Sequence, residues 1–379
     1  MRRMRAAAVY LAAVAFTVAF AIPATASARS RAVASKPVTF NVQNVNRSKL
    51  PCATDGAAYQ IKGHLVGPRA TLAAASKSKR RAKRFPKPSA TLYLHGLGFG
   101  EWFWNFRGFA GLPPGTAVTP VAIKGYDYAD AQAKAGHTSV VIDRLGYDAS
   151  GHPDGHKTCV GGQADIAHQI VQALRSGSYS VDGGKAVRFK RVALGGHSAG
   201  GAIAMVEAYS FRDVDALVVM SFSYSNLPRA QIALGPTRDL CQAGGEPSEP
   251  GGPPGYAYYG QPTPQDFKAV MFASATPQIA DIAAVNRNRD PCEDVDSIIP
   301  AIIQQRANVP KIKVPVLVIC GTKDALYSAV GCSQQEERFT GARSTKLELV
   351  RGAGHGVTVE RQAPTFRRKL GRWLSRYGF

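Results

Sequence analysis

The sequence predicts an α/β fold in which a mostly parallel sheet carries helices on both faces. From residue 91 onward, short apolar runs typical of strands alternate with runs that suit helices, as in successive βα units. Residues 196–200 are Gly-His-Ser-Ala-Gly and stand directly between a strand-like run and a helix-like run. Residues 364–377 place apolar side chains at helical spacing and predict a closing helix.

The elements follow in order along the chain. Three strands open the sheet, over residues 38–45, 58–66 and 91–94. The predicted elements that follow are a helix over 128–135, a strand over 139–143, a helix over 162–175, a strand over 191–194, a helix over 201–209, and strands over 216–220, 314–321 and 345–350. The chain is long enough to bury a full hydrophobic core.

The pattern changes between residues 226 and 313. Residues 244–260 are dense in Gly, Pro and Tyr and show no periodicity. Two Thr-Pro pairs, at 263–264 and 276–277, suit a helix N-cap followed by proline at the first helical position. Short helices are predicted over 264–272, 277–285 and 295–306. We interpret 226–313 as an insertion within one catalytic domain made of residues 29–225 and 314–379.

The turn at 196–200 has the G-x-S-x-G pattern of a nucleophile elbow. The backbone doubles back between strand and helix, so a side chain at Gly196 or Gly200 would clash with neighbouring backbone. Such a turn exposes the hydroxyl of Ser198 above the sheet. The alternative is a Gly-rich turn with an inert serine, but the strand and helix on either side favour a nucleophile.

A nucleophilic serine needs a base and an acid that orients it. Asp324 follows the strand over 314–321, and His355 follows the strand over 345–350. The chain order Ser, Asp, His is the one that accompanies this elbow. Each residue alone suits a solvated loop, but together they predict a triad in which Asp324 holds His355 and His355 takes the proton of Ser198.

An oxyanion hole is predicted after the strand over 91–94. The main-chain N–H groups of Leu97 and of Ala199, the residue after the nucleophile, are the expected donors to a tetrahedral intermediate. We interpret His95 as structural, with its ring bonded to local backbone.

With these motifs in place, the chain resembles the α/β-hydrolase superfamily from about residue 90 to the C-terminus. The segment 143–150, Asp-Arg-Leu-Gly-Tyr-Asp-Ala-Ser, resembles the superfamily's D-x-x-G-x-G-x-S loop, with Asp148 where a glycine is usual. The resemblance implies the α/β-hydrolase fold, acyl transfer without a cofactor or metal, and a cap formed by 226–313. Aromatic side chains after the oxyanion loop should pack in the core, with one or two facing substrate. They are Phe99, Trp102, Phe103, Trp104, Phe106 and Phe109.

The N-terminus has the pattern of a secretion signal. Residues 1–5 are basic, 6–22 are apolar and 26–28 are Ala-Ser-Ala, which suits a cleavage site. We predict a signal peptide over 1–28 and a secreted or envelope-associated protein that keeps no integral membrane segment. An uncleaved anchor is the alternative.

Six cysteines in an exported chain predict disulfides rather than metal or thiol chemistry. The pattern leaves the connectivity open. Our favoured pairing joins Cys241 to Cys292 across the cap, Cys320 to Cys332 beside Asp324, and Cys52 to Cys159. The His-rich stretch at 152–159 is interpreted as a plain loop.

The formal net charge is +21, and much of it is concentrated in residues 77–88, within a longer loop over 68–89. This loop could attach to an anionic envelope surface or could simply be solvated. A nucleic-acid role is not expected, because Phe85 is the one aromatic residue among these charges.

Together these features predict a secreted serine hydrolase that cleaves small-molecule carboxylic esters. An exopeptidase or amidase of the same fold is the nearest alternative. The acids Glu293, Asp294 and Asp296 could bind a free amine in such an enzyme, whereas Ala199 stands where it often has Trp. A non-catalytic envelope-binding protein on this scaffold is the other alternative.

Overall fold

A nine-stranded sheet lies at the centre of the computed structural model, which describes residues 32–75, 88–107, 123–260 and 263–379. The strands, including a short two-stranded ribbon β8–β9, are β1 Val33–Gln43, β2 Ala58–Pro68, β3 Ser89–Leu94, β4 Ser139–Ile142, β5 Ser180–Val181, β6 Arg191–His197, β7 Ala216–Met220, β8 Tyr256–Ala257, β9 Asp290–Pro291, β10 Val316–Gly321 and β11 Thr345–Val350. The order across the large sheet is β11-β10-β7-β6-β3-β4-β2-β1-β5.

The six strands from β11 to β4 in that order are parallel, and β2, β1 and β5 add antiparallel pairs at one side. The central strands are buried along their whole length, as expected for apolar runs covered on both faces. The predicted mostly parallel α/β architecture is therefore confirmed.

The helices are α1 Arg69–Ala75, α2 Tyr128–Ala135, α3 Val160–Ser176, α4 Ala199–Ser210, α5 Pro228–Gln242, α6 Pro264–Met271, α7 Pro277–Val285, α8 Cys292–Asp296, α9 Ile298–Asn308, α10 Ala329–Glu337 and α11 Ala363–Arg376. Helix α3 packs on α4, and α11 packs on α2. Among the described helices, none is long and apolar enough to cross a membrane.

Two predictions for the segment 226–313 need correction. The single helix predicted over 295–306 is two helices, α8 and α9, which meet at Ser297. In one continuous helix the ring of Pro300 would clash with the carbonyl of Asp296, so the chain turns there. Helix α5 was not predicted at all, because Gly235 and Pro236 interrupt its pattern.

All three favoured disulfides are present: Cys52–Cys159, Cys241–Cys292 and Cys320–Cys332. They tie the segment after β1 to the start of α3, the end of α5 to α8, and β10 to α10. Each bridge restricts the unfolded chain and is worth about 2–4 kcal/mol in a typical protein.

Several predictions lie outside the described residues. They are the signal peptide over 1–28, residues 77–87 of the basic loop, and Phe109. The predicted loop over 68–89 needs correction at its start, because α1 covers Arg69–Ala75 and follows directly on β2, which runs antiparallel to β4.

Candidate active site

Ser198 lies alone between β6 and α4, at φ 52° and ψ −124°. Its N–H donates to the carbonyl of Met220 at 2.8 Å. A Cβ at Gly196 would lie 1.9 Å from the carbonyl oxygen of Gly200, and a Cβ at Gly200 would lie 2.4 Å from that of Leu94. The close contacts between backbone segments that the G-x-S-x-G pattern predicted are present, and only glycine fits at either position.

Asp324 and His355 meet although 31 residues separate them in the chain. Nδ1 of His355 donates to Oδ2 of Asp324 at 2.9 Å, and both side chains are fully buried. The other carboxylate oxygen accepts the N–H groups of Leu326 at 2.8 Å and Tyr327 at 3.1 Å. The carboxylate is therefore held from both sides and sets the orientation of the imidazole ring.

The bond to Asp324 uses Nδ1 of His355 and leaves its second ring nitrogen, Nε2, uncommitted. This atom is buried and has no hydrogen-bond partner among the described residues, Ser198 included. Serine–histidine bonds are often long in unliganded enzymes and tighten around substrate. The arrangement leaves Nε2 available to accept a proton.

His197 links the elbow to the loop that carries His355. Its Nε2 donates to the main-chain carbonyl of His355 at 2.9 Å, and the two ring centroids are 4.7 Å apart. Burial lowers the pKa of His197 well below its ordinary value, so the ring is neutral. The residue before the candidate nucleophile thus holds the loop of the candidate base.

His95 and the backbone after it form the loop predicted to bind an oxyanion. Nδ1 of His95 donates to the carbonyl of Gly96 at 2.9 Å, and Nε2 accepts the N–H of Arg144 at 3.1 Å. Burial lowers the pKa of His95 far below its ordinary value. This confirms the structural interpretation of His95.

The candidate oxyanion donors lie next to Ser198. A Cβ at Gly96 would lie 2.8 Å from Cβ of Ser198, which puts the residue before Leu97 against the serine. Neither the Leu97 nor the Ala199 N–H has an acceptor among the described residues. Both amides therefore remain free to bind a ligand oxygen.

The structure adds Asp290, which the sequence did not single out. It is fully buried, and its Oδ1 accepts the Gly98 N–H at 2.7 Å and the Tyr147 hydroxyl at 2.9 Å. Its other oxygen accepts the N–H of Tyr259 at 3.3 Å. Burial raises the pKa of Asp290 to about 7. The one signal in the sequence is an acidic residue two positions before Cys292.

Asn288 holds the same loop from the other side. Its N–H donates to the carbonyl of Gly98 at 3.1 Å, and its side chain donates to Asp148 at 2.8 Å. Asp148 keeps a φ of 40°, which explains why glycine is usual at this position. A polar cavity of about 600 Å³ opens beside Asp148 and Glu101, and among the described residues that line it there is no member of the predicted triad.

Two of the three acids proposed for amine binding, Asp294 and Asp296, form ion pairs within the protein, whereas the third, Glu293, is half-buried. Asp294 forms a 2.6 Å ion pair with Arg144, and both side chains are 1% exposed. Asp296 pairs with Arg238 at 3.1 Å. The sequence-based suggestion that Asp294 faces a substrate amine is therefore wrong, because the acid is already neutralised inside the protein.

Aromatic rings surround the candidate site. Phe99 and Phe103 pack on His197, with centroids 5.4 and 4.5 Å away. Phe267 of α6 packs on Phe99 at 5.7 Å, and Tyr327 lies 5.9 Å from His355. The five aromatic residues of the predicted run that the structure describes are all buried, so core packing accounts for most of them.

The comparisons with known proteins fit this geometry. A family model described as the alpha/beta hydrolase family matches residues 92–368. The chain belongs to this family. No curated protein sequence matches the chain.

Solved structures of the same fold include a monoacylglycerol lipase from Paleococcus ferrophilus, with 18% identity over 78% of this chain and 97% of that one and a TM-score of 0.55. A thermophilic esterase from Thermogutta terrifontis has 14% identity over 90% and 100% of the two chains and a TM-score of 0.55. A hydrolase from Pseudomonas aeruginosa has 18% identity over 88% and 98%, with a TM-score of 0.53. At these identities the likeness concerns the fold.

Proposed function

We propose that the protein is a serine hydrolase that cleaves carboxylic esters through an acyl-enzyme. The observation that carries the proposal is the buried 2.9 Å hydrogen bond between His355 and Asp324, formed on the same sheet edge as a serine at positive φ. Family membership supports hydrolysis. The lipase and esterase among similar folds favour an ester over an amide.

In the proposed reaction, Oγ of Ser198 attacks the ester carbonyl while Nε2 of His355 takes its proton. The Leu97 and Ala199 N–H groups donate to the oxyanion that forms, and Asp324 stabilises the imidazolium. His355 then gives its proton to the departing alcohol. Water attacks the acyl-enzyme, His355 again takes the proton, and the acid leaves as Ser198 regains its hydrogen.

The alternatives have less support. The amidase alternative relied on cap carboxylates, and Asp294 is neutralised by Arg144. The non-catalytic alternative predicts a damaged triad, whereas all three residue types are present. We also propose that the chain is exported, because three disulfides suit an oxidising compartment.

The test is hydrolysis of p-nitrophenyl esters, from acetate to palmitate, by the chain from residue 29 onward. The Ser198→Ala variant should lose about 10⁴-fold or more in kcat. Ser221→Ala is a matched control, because Ser221 is also buried and also has a positive φ, 46°, but lies outside the triad. It should remain within a few-fold of wild type.

A fluorophosphonate probe should label wild type and Ser221→Ala but not Ser198→Ala. Equal turnover by wild type and Ser198→Ala would refute the assignment of the nucleophile. Absence of turnover on every ester, with probe labelling intact, would instead redirect the proposal to amides.

A further inference from the structure

A buried acid lies at the far end of α4 from the candidate active site. Glu207 comes eight residues after Ala199, which places it about 12 Å along the helix. The residue is completely buried, and neither carboxylate oxygen has a hydrogen-bond donor among the described residues. A buried carboxylate without a partner is costly, so a proton or a cation must neutralise it.

Two further ligand-type side chains converge on Glu207. His168 comes from α3, and Asp213 from the loop before β7. Nδ1 of His168 lies 2.8 Å from Oδ2 of Asp213, and one ligand atom from each of the three residues lies within 4.8 Å of the others. His168 and Asp213 are 21% and 17% exposed, so an ion can enter from solvent.

The surroundings orient these ligands. The side-chain amide of Gln172 donates to Asp213, and the ring of Phe211 stacks on His168 at 4.1 Å and 12°. Supporting contacts of this kind are typical around metal ligands. The nearby Arg175 donates to the carbonyl of Asp213 and to the carboxylate of Asp215, and its positive charge acts to lower the pKa of Glu207, against the larger effect of burial.

We propose that His168, Glu207 and Asp213 bind a divalent transition-metal ion of the Zn²⁺ type. One imidazole and two carboxylates form a mixed nitrogen and oxygen set, which suits Zn²⁺ better than Ca²⁺ or Mg²⁺. Two carboxylates balance the charge of the ion, and water completes four-coordination. The edge of such a tetrahedron is about 3.4 Å, so the three ligand atoms, which lie within 4.8 Å of one another, must draw closer around a bound ion.

The site has a structural role in this proposal, because it joins α3, α4 and the loop before β7 at the end of the sheet away from Ser198. It is independent of the proposed esterase function. The competing arrangement is a protonated Glu207 that donates to Asp213. Burial and the neighbouring Asp213 do raise the pKa of Glu207 well above its ordinary value when no ion is bound.

The experiment uses the chain from residue 29 onward, without a histidine tag. Metal content is measured by mass spectrometry, and melting is followed with EDTA and with added Zn²⁺. One ion per chain is expected, with a Tm several degrees lower in EDTA. Co²⁺ should give the intense visible absorption of a tetrahedral site, which a purely structural hydrogen bond cannot produce.

Glu207→Gln and His168→Ala should each weaken Zn²⁺ binding by more than about 100-fold. Mutating a residue that only supports a metal ligand already lowers metal affinity about 10- to 100-fold, and loss of a ligand should lower it further. His156→Ala is the matched control. His156 also pairs through Nδ1 with an aspartate, Asp154 at 3.2 Å, but lies outside the cluster, and its loss should leave binding unchanged.

Three results would overturn the proposal. The first is a metal-free wild type whose Tm responds to neither EDTA nor added Zn²⁺ or Co²⁺. The second is metal binding that survives in both Glu207→Gln and His168→Ala. The third is a Glu207→Gln variant whose Tm differs from that of wild type by the same amount with and without metal. That result is expected if Glu207 is simply protonated in the wild-type protein.

Discussion

Replacing Asp290 by Asn should lower kcat about 10- to 100-fold and leave KM within about threefold of wild type. Asp290 does not contact the reacting atoms. It acts as a positioning residue, because its carboxylate binds the N–H of Gly98, the residue after the candidate oxyanion donor Leu97.

The magnitude follows from the bonds at Asp290. A hydrogen bond to a charged group contributes about 1.5–3 kcal/mol. Above about pH 7, where Asp290 is ionised, replacement by Asn turns the 2.7 Å charge-assisted bond to Gly98 into a weaker neutral one, and the Asn amide faces the N–H of Tyr259, which donates to the carboxylate at 3.3 Å. Losing about 1.5–3 kcal/mol of restraint corresponds to roughly 10- to 100-fold in rate. Removal of a whole oxyanion donor, at about 10²–10³-fold, is the upper bound.

The assay is steady-state hydrolysis of the best p-nitrophenyl ester, with active sites counted by the fluorophosphonate probe. Asp296→Asn is the matched control, because Asp296 comes from the same segment but pairs with Arg238 at the surface. Its kcat should equal that of wild type. A folded Asp290→Asn variant with kcat within twofold of wild type would refute the role assigned to Asp290.

The same variant has an expected pH signature. Burial raises the pKa of Asp290 to about 7, from 3.8, so the folded protein keeps a proton that the unfolded chain has already lost in this range. The contribution of Asp290 to the free energy of unfolding is therefore most favourable below about pH 4. This contribution falls by about 1.4 kcal/mol per pH unit between about pH 4 and about pH 7. The Tm of wild type relative to Asp290→Asn should fall over this window and level off above it; a constant difference would contradict the assignment.

The other predictions concern the elbow. His197→Phe removes the 2.9 Å bond to the His355 carbonyl but keeps a flat ring among Phe neighbours. The kcat should therefore fall about 3- to 10-fold with little change in Tm. A kcat equal to that of wild type would show that this bond is not needed. Gly200→Ala forces a Cβ to 2.4 Å from backbone and should destabilise the protein by about 3 kcal/mol in urea unfolding. Gly235→Ala, where nothing beyond its own helix lies within 4 Å of the added carbon, should change the stability by less than about 1 kcal/mol, and equal effects at both glycines would contradict the steric argument.

Local patterns were sufficient for much of the fold. The Thr-Pro pairs predicted the start of α6 and α7, because the Thr263 and Thr276 hydroxyls accept N–H groups three residues ahead, at Asp266 and Ile279. The elbow was predictable for a similar reason. Its glycines are required by close backbone contacts, which are made within a few residues of the turn and with the neighbouring strand. The pattern failed at α8 and α9, where two short helices meet at Ser297.

The sequence by itself determined the parallel α/β architecture, the elbow around Ser198 and the candidate partners Asp324 and His355. Strand periodicity, turn chemistry and chain order are all properties of short segments. Only the tertiary structure decided that Asp290 lies beneath Gly98, 192 residues away in the chain. It also decided which carboxylates are buried, paired or left without a donor. Burial and pairing depend on how distant segments pack, and that packing sets the electrostatics of each buried acid.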